Sequence, residues 1–292
     1  MIETGKTCRQ DDRFLQNHSE KLCTQTEGEI FIMQQKKEDT TPCPVVLEGM
    51  TSLSALLHAY EENFNDRKIL YVLYDDSRAQ KIARELSFLR AKSREHHFEL
   101  IAADADTIAK TANGTTHGGV IALCTERTFP KLTREKISPD GFYVYLEGIE
   151  DPYNFGNTVR SLYAAGADAV ILSPRNWMSA AGVVARASAG TSELMPIYLS
   201  TPENLSVCFH EAGYKICAAG IRDSVSLYEA DLKKPLLLIV GGEKRGISGA
   251  LLSAADQIVR IDYGRNFRGS LSAAAATAVM AFEIMHRNEE AK

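Results

Sequence analysis

At 292 residues and 45% hydrophobic content, the chain carries enough apolar material for one large or two ordinary domains, which excludes a disordered or fibrous class. A net charge of −5 argues against indiscriminate nucleic-acid binding, which needs a broadly basic domain. No apolar run approaches the roughly 18 residues of a membrane span, and MIETGKTCRQDDRFLQ lacks the basic-then-apolar order of an export signal, so a cytoplasmic location is expected.

Residues 1–44 are polar, with neither strand nor helix periodicity, and read as a loose extension. From residue 45 the pattern changes to VVLEGM, a helix-like SLSALLHAYEEN and a strand KILYVLY. Residues 77–94 follow, with Arg78, Lys81, Arg84, Arg90, Lys92 and Arg94 against Glu85 and with Ile82, Leu86 and Leu89 at helical spacing. That segment is either a basic binding face or an ordinary solvated helix surface. A strand at FELIAA and an apolar run at GGVIALC complete a small α/β domain over residues 45–125. The charged, proline-containing stretch over 126–140 reads as an exposed connection.

In residues 141–292 strands and helices alternate more clearly. GFYVYLEG is a strand, residues 156–165 a helix, DAVILS a strand, AAGVVARASAG a helix, and MPIYLS a strand. A helix over 202–212, the strands YKICAAG and PLLLIVGG, a short helix after Ser248, the strand QIVRIDY and a helix over 270–286 follow. Near-continuous apolar strands separated by helices predict a mostly parallel sheet covered on both faces. Ligands of such sheets bind in loops at the carboxyl ends of strands, here EGIEDPYNFGNTVR, VGGEKRGIS and IDYGRNFRGSLS.

The first loop brings Asn154, Gly156 and Asn157 near a helix start, with Arg160 farther inside. It reads either as a phosphate site, using helix N-terminal amides and the Arg160 fork, or as an Asn-capped helix with a surface arginine. The second places Gly241, Gly242 and Gly246 around Glu243; its glycines allow backbone contact with a flat ligand or the close crossing of another loop. It is neither a Walker loop nor a GxGxxG fingerprint. The third joins Arg265 and Arg268 to a helix with small residues in its first turns, and Ser270 fits an N-cap. The cysteines, Cys8, Cys23, Cys43, Cys124, Cys208 and Cys217, form no CxxC pair and have no histidine at ligand spacing, so reduced thiols and no metal are expected.

Together these loops resemble the three motifs of the SpoU (TrmH-like) class of SPOUT RNA methyltransferases. Asn154, Gly156 and Arg160 match motif one, preceded by Asp151 and Pro152; Gly241, Glu243 and Gly246 match motif two; Ser270 and Leu271 match motif three, where the usual Asn is Ser272. Residues 45–125 more weakly resemble the ribosomal-protein-like substrate-binding domain that often precedes this catalytic domain, with HGGVIA as its HxGxxA pattern. The resemblance implies a C-terminal trefoil-knotted α/β fold, a homodimer, and S-adenosylmethionine bound near Gly241, Gly242, Ile261 and Leu271, with the loop after Ala219 closing the site. It implies methylation of an RNA ribose 2′-hydroxyl, in ribosomal RNA by preference, with transfer RNA as the alternative. Arg160 would bind the target phosphate, Asn154 and Ser270 would orient it or the ribose, and Glu243 would hold Asn154. Ser272 leaves open a second reading, a catalytically inactive RNA-binding or ribosome-assembly homologue.

Overall fold

The computed structural model describes residues 44–62, 65–174 and 180–289. The expected extension over residues 1–44 falls almost wholly outside them, as do Cys8, Cys23 and Cys43.

The first half is built on a four-stranded sheet. Strands β1 (Val45–Glu48), β2 (Ile69–Asp75), β3 (Glu99–Ala103) and β4 (Val120–Cys124) lie in the order β1-β4-β2-β3. Only the β2 and β3 pair is parallel. Helix α1 (Gly49–Glu62) and helix α2 (Ala83–His96) bury Leu53, Leu56, Leu57, Leu86 and Leu89 beneath it. A short helix α3 (Ala105–Thr111) was not legible in the sequence, being only seven residues long. It is set by Asp104, whose carboxylate accepts the Thr107 amide at 2.6 Å. The expected basic helix forms from Ala83, with Lys81 in the turn before it; Lys81, Arg84, Arg90 and Arg94 are exposed, while Lys92 is paired with Glu95 at 2.8 Å.

The second half carries seven strands: β5 (Phe142–Glu147), β6 (Ala169–Leu172), β7 (Ile197–Leu199), β8 (Lys215–Ala219), β9 (Val225–Ser226), β10 (Leu236–Gly241) and β11 (Gln257–Arg260). Their order is β7-β6-β5-β10-β8-β11-β9, and every pairing is parallel. Continuous apolar strands demand cover on both faces, and alternate side chains supply two cores. One face sets Val144, Leu146 and Leu238 against helix α4 (Pro152–Ala164) and helix α9 (Ala273–Glu289). The opposite face sets Tyr143, Ile171, Leu237 and Ile239 against helix α7 (Pro202–Glu211) and helix α8 (Gly249–Ala254).

Three sequence expectations change. Helix α4 begins at Pro152, four residues earlier than expected, because Asp151 rather than an asparagine caps it by accepting the Asn154 amide at 2.7 Å. Proline at the first helical position needs no amide partner. The helix expected over AAGVVARASAG splits into α5 (Ala181–Ala187) and α6 (Thr191–Leu194), because Ala189 and Gly190 both take positive φ, 51° and 85°. The last helix begins at Ala273, and its cap is Ser272, whose hydroxyl accepts the Ala275 amide at 3.2 Å, not Ser270.

The two sheets are joined by close packing of α5 and α6 against the first half. A Cβ on Gly182 would meet the Val46 carbonyl oxygen at 2.2 Å, and one on Gly190 would meet the Ala55 Cβ at 2.6 Å. Buried charges lock the same seam. Arg67 donates to Glu193 at 3.0 Å, Asn65 donates to the same carboxylate at 2.9 Å, and Arg127 donates to the carbonyls of Ser192 and Met195. Burial pushes the Glu193 carboxyl up, but Arg67, Arg127 and Asn65 outweigh it and hold the group below its ordinary range.

Candidate active site

The sheet order places β5 beside β10, so the loops leaving their carboxyl ends meet. The Gly242 amide donates to the Glu147 carbonyl at 2.6 Å, and a Cβ on Gly242 would lie 2.1 Å from the Gly148 carbonyl oxygen. Gly241 is filled just as tightly by the chain itself, with Gly246 carbonyl carbon 2.3 Å from where its Cβ would stand. Of the two uses the sequence allowed for these glycines, close loop crossing is the one observed. The Glu147 carboxylate adds a second tie by accepting the Ser248 amide at 2.8 Å.

Beside this crossing lies a cavity of about 570 Å³. It is lined by the apolar Val240, Val259 and Met280 and by residues 219–221, 241–243, 261–263 and 267–271. Gly241, Gly242, Glu243, Ile261, Ser270 and Leu271, expected from sequence to serve cofactor and chemistry, all line it. So does the loop after Ala219, held at its base by the Gly220 amide on the Val259 carbonyl at 2.9 Å and farther out by Arg260, which donates to the Ser224 carbonyl at 2.6 Å.

Asn154 reaches this assembly through Glu243: its side-chain amide donates to Glu243 Oε1 at 3.1 Å, and the Ala273 amide donates to the same oxygen at 3.3 Å. One carboxylate therefore joins all three loops. Arg160 stands apart, exposed on α4 and without an ion pair among the described residues. Gly156 is inside α4 rather than at a turn, and a Cβ there would meet the Ala187 Cβ at 2.6 Å and the Val184 carbonyl oxygen at 2.9 Å. It serves helix packing, not approach to an anion. The amides at the start of α4 already face the Asp151 carboxylate, so this terminus is not an open phosphate cradle.

Sequence reasoning missed Tyr263 and Phe267, which also line the cavity. Their rings meet edge to face at 5.6 Å, and the Tyr263 hydroxyl accepts the Leu271 amide at 3.2 Å. The aromatic residues in YGRNFRG were the available signal. Burial pushes the thiols of Cys124 and Cys217 up to about 12, leaving neither as a thiolate at neutral pH. Among the described residues, no group of three His, Cys, Asp or Glu is placed to hold a metal ion.

Comparison with known proteins agrees with this geometry. Residues 141–282 match the model of the SpoU rRNA Methylase family. A 23S rRNA (guanosine-2′-O-)-methyltransferase RlmB from Burkholderia sp is 29% identical over 248 residues, covering 83% of this chain and 96% of that protein. The RlmB of Bordetella pertussis is 28% identical over 254 residues, covering 84% and 98%. Among solved structures, the AdoMet-bound rRNA methyltransferase from Sinorhizobium meliloti superposes with a TM-score of 0.68 at 24% identity, over 84% of this chain and 87% of that one. The SpoU methyltransferase AviRb from Streptomyces viridochromogenes reaches 0.70 at 20% identity over 95% and 98%, and these two likenesses establish the shared fold. With its parallel sheet and matched motifs, this chain carries a SpoU rRNA Methylase family domain over residues 141–282.

Proposed function

We propose that the protein transfers a methyl group from S-adenosylmethionine to a ribose 2′-hydroxyl of ribosomal RNA. The observation that carries this reading is one cavity lined by the second and third motif loops, with Asn154 of the first motif joined to them by the Glu243 carboxylate.

The cavity suits that cofactor. Its volume lies within the roughly 300–1,000 Å³ of small-molecule sites, and Val240, Val259 and Met280 give it apolar lining. Asp262 also lines the cavity, where hydrogen bonds from Ser226 and Arg260 hold its carboxyl below the ordinary range and Arg260 pairs its charge. Gly241, Gly242, Ile261 and Leu271 would hold the cofactor, which when bound supplies an electrophilic methyl on a sulfonium.

The remaining work falls to the chain. A guanidinium stays protonated at neutral pH, so Arg160 binds the phosphate of the target nucleotide and stabilises negative charge developing nearby, and is not a base. Asn154, fixed by Glu243, and Ser270 orient the ribose, so that positioning supplies much of the rate. The 2′-hydroxyl itself distinguishes RNA from DNA.

Residues 45–125 would form the RNA-recognition domain, using the exposed arginines of α2, with 126–140 as its connection to the catalytic domain of residues 141–292. A homodimer is supported by Tyr163, Val279 and Phe282, large apolar side chains exposed on α4 and α9. No described helix is long and apolar enough to cross a membrane, consistent with work on RNA in the cytoplasm.

Ser272 does not favour the inactive reading. Ser and Asn are equivalent helix caps, and the capping bond from Ala275 is made. The test is calorimetry with S-adenosylmethionine, then transfer of tritiated methyl to ribosomal RNA from a strain lacking the gene, with mapping of ribose methylation. Binding followed by one mapped 2′-O-methyl is expected; no binding at millimolar cofactor would overturn the proposal.

A further inference from the structure

The loop of residues 262–270, between β11 and α9, is exposed at every position. Exposed aromatic side chains are costly in water unless something covers them, yet Phe267 is 55% and Tyr263 39% exposed. Tyr263 is not free to swing, since its hydroxyl holds the Leu271 amide and its ring braces Phe267. Phe267 is also fixed by its own loop, because its ring fills the space beside Gly269 that a Cβ would need. The result is a preset aromatic pair at the lip of the cofactor cavity, flanked by Arg265 and Arg268.

Those two guanidiniums are exposed and pair with no carboxylate among the described residues. The nearest acid in the loop, Asp262, is taken by Arg260 at 2.8 Å. On a chain of net charge −5, this is a local basic and aromatic element, the composition that binds unpaired nucleotides by stacking bases and meeting phosphates. A protein partner would be less well matched by two unpaired arginines around a single aromatic pair.

We infer that the 262–270 loop grips single-stranded RNA next to the target nucleotide, with Phe267 stacking a base and Arg265 and Arg268 meeting flanking phosphates. The inference rests on the RNA methyltransferase reading and deepens it: the substrate segment is unpaired, or is opened, where it meets the site. The loop lies two residues from Ala273, whose amide is held by Glu243, so RNA seated there is presented directly to the Asn154 side of the cavity.

The test uses the full chain and a single-stranded oligoribonucleotide of about 12 nucleotides carrying 2-aminopurine, a length within the usual site size. A duplex of the same sequence serves as comparison. Quenching and tighter binding of the single strand are expected. Phe267→Ala should weaken that binding about tenfold, the effect of losing one stacked base, and Phe267→Trp should restore it. Arg265→Ser should reduce the salt dependence by roughly one phosphate contact. The inference is overturned by unchanged oligonucleotide affinity in Phe267→Ala, or by a variant that loses S-adenosylmethionine affinity while binding RNA normally, which would make the loop a cofactor lid. Wild-type protein that binds the strand but never methylates RNA would instead sink the enzymatic reading and leave the loop assignment standing.

Discussion

Glu243 Oε1 accepts hydrogen bonds from Asn154 Nδ2 at 3.1 Å and from the Ala273 amide at 3.3 Å, so a single carboxylate ties the loop after β5, the loop after β10 and the start of α9 together. Both donors are neutral, one bond is exposed and the other only part-buried, so their worth lies in geometry more than in stability. Glu243→Ala should lower the methyl-transfer rate on the order of 100-fold, as loss of positioning does, while melting close to wild type. Glu243→Gln keeps one acceptor oxygen and should recover part of the rate in single-turnover assays.

Arg160 does not line the cavity and has no partner to lose among the described residues. Arg160→Ala should therefore reduce transfer by roughly 100- to 1,000-fold, the range for removing a group that stabilises developing charge. Its S-adenosylmethionine affinity by calorimetry should stay near wild type. A large loss of cofactor affinity would reassign Arg160 to the cofactor.

Ser272 offers a separate test of the departure from the motif. Ser272→Ala removes a cap worth about 1 kcal/mol, expected as a fall of about 2–4 °C in Tm for a unit of this size, together with slower transfer because the Ala273 amide is less well placed. Ser272→Asn should retain both Tm and activity. Activity lost in Ser272→Asn would show that the serine does more than cap.

At the loop crossing, Gly242→Ala has no room, since its Cβ would stand 2.1 Å from the Gly148 carbonyl oxygen. Backbone must move, at a cost of at least ~2 kcal/mol by the scale of overpacked sites. Loss of cofactor binding by calorimetry is expected, with a lowered Tm. Gly249→Ala, where nothing lies within 4 Å, is the matched control and should bind normally.

The seam between the two sheets should be sensitive to acid. Glu193 is held below its ordinary range, so its contribution is complete above the unfolded value near 4.3 and is lost as pH falls through the depressed folded value. Wild-type Tm should thus be flat in this respect above about pH 5 and fall below about pH 4. Arg67→Ala at neutral pH leaves the buried carboxylate short of its partner and should cost about 3–5 kcal/mol. That penalty should shrink on acidification, which a melting series of both proteins would register.

The strand and helix alternation, the parallel sheet and the three loops were legible in the amino-acid order, because they follow from periodicity and from strands too apolar to face water. So were Gly241, Gly242, Glu243, Ile261, Ser270 and Leu271, which share one cavity. What the individual residues do there became visible in the folded chain alone. Gly156 packs helices, Asp151 and Ser272 are the caps, and Tyr263 with Phe267 forms the lip of the site, since each depends on neighbours more distant in the chain or on a helix boundary that periodicity leaves loose by several residues. The Asn154 to Glu243 bond is the plainest case: 89 positions separate its partners, and they meet because β5 and β10 are hydrogen-bonded neighbours in the sheet.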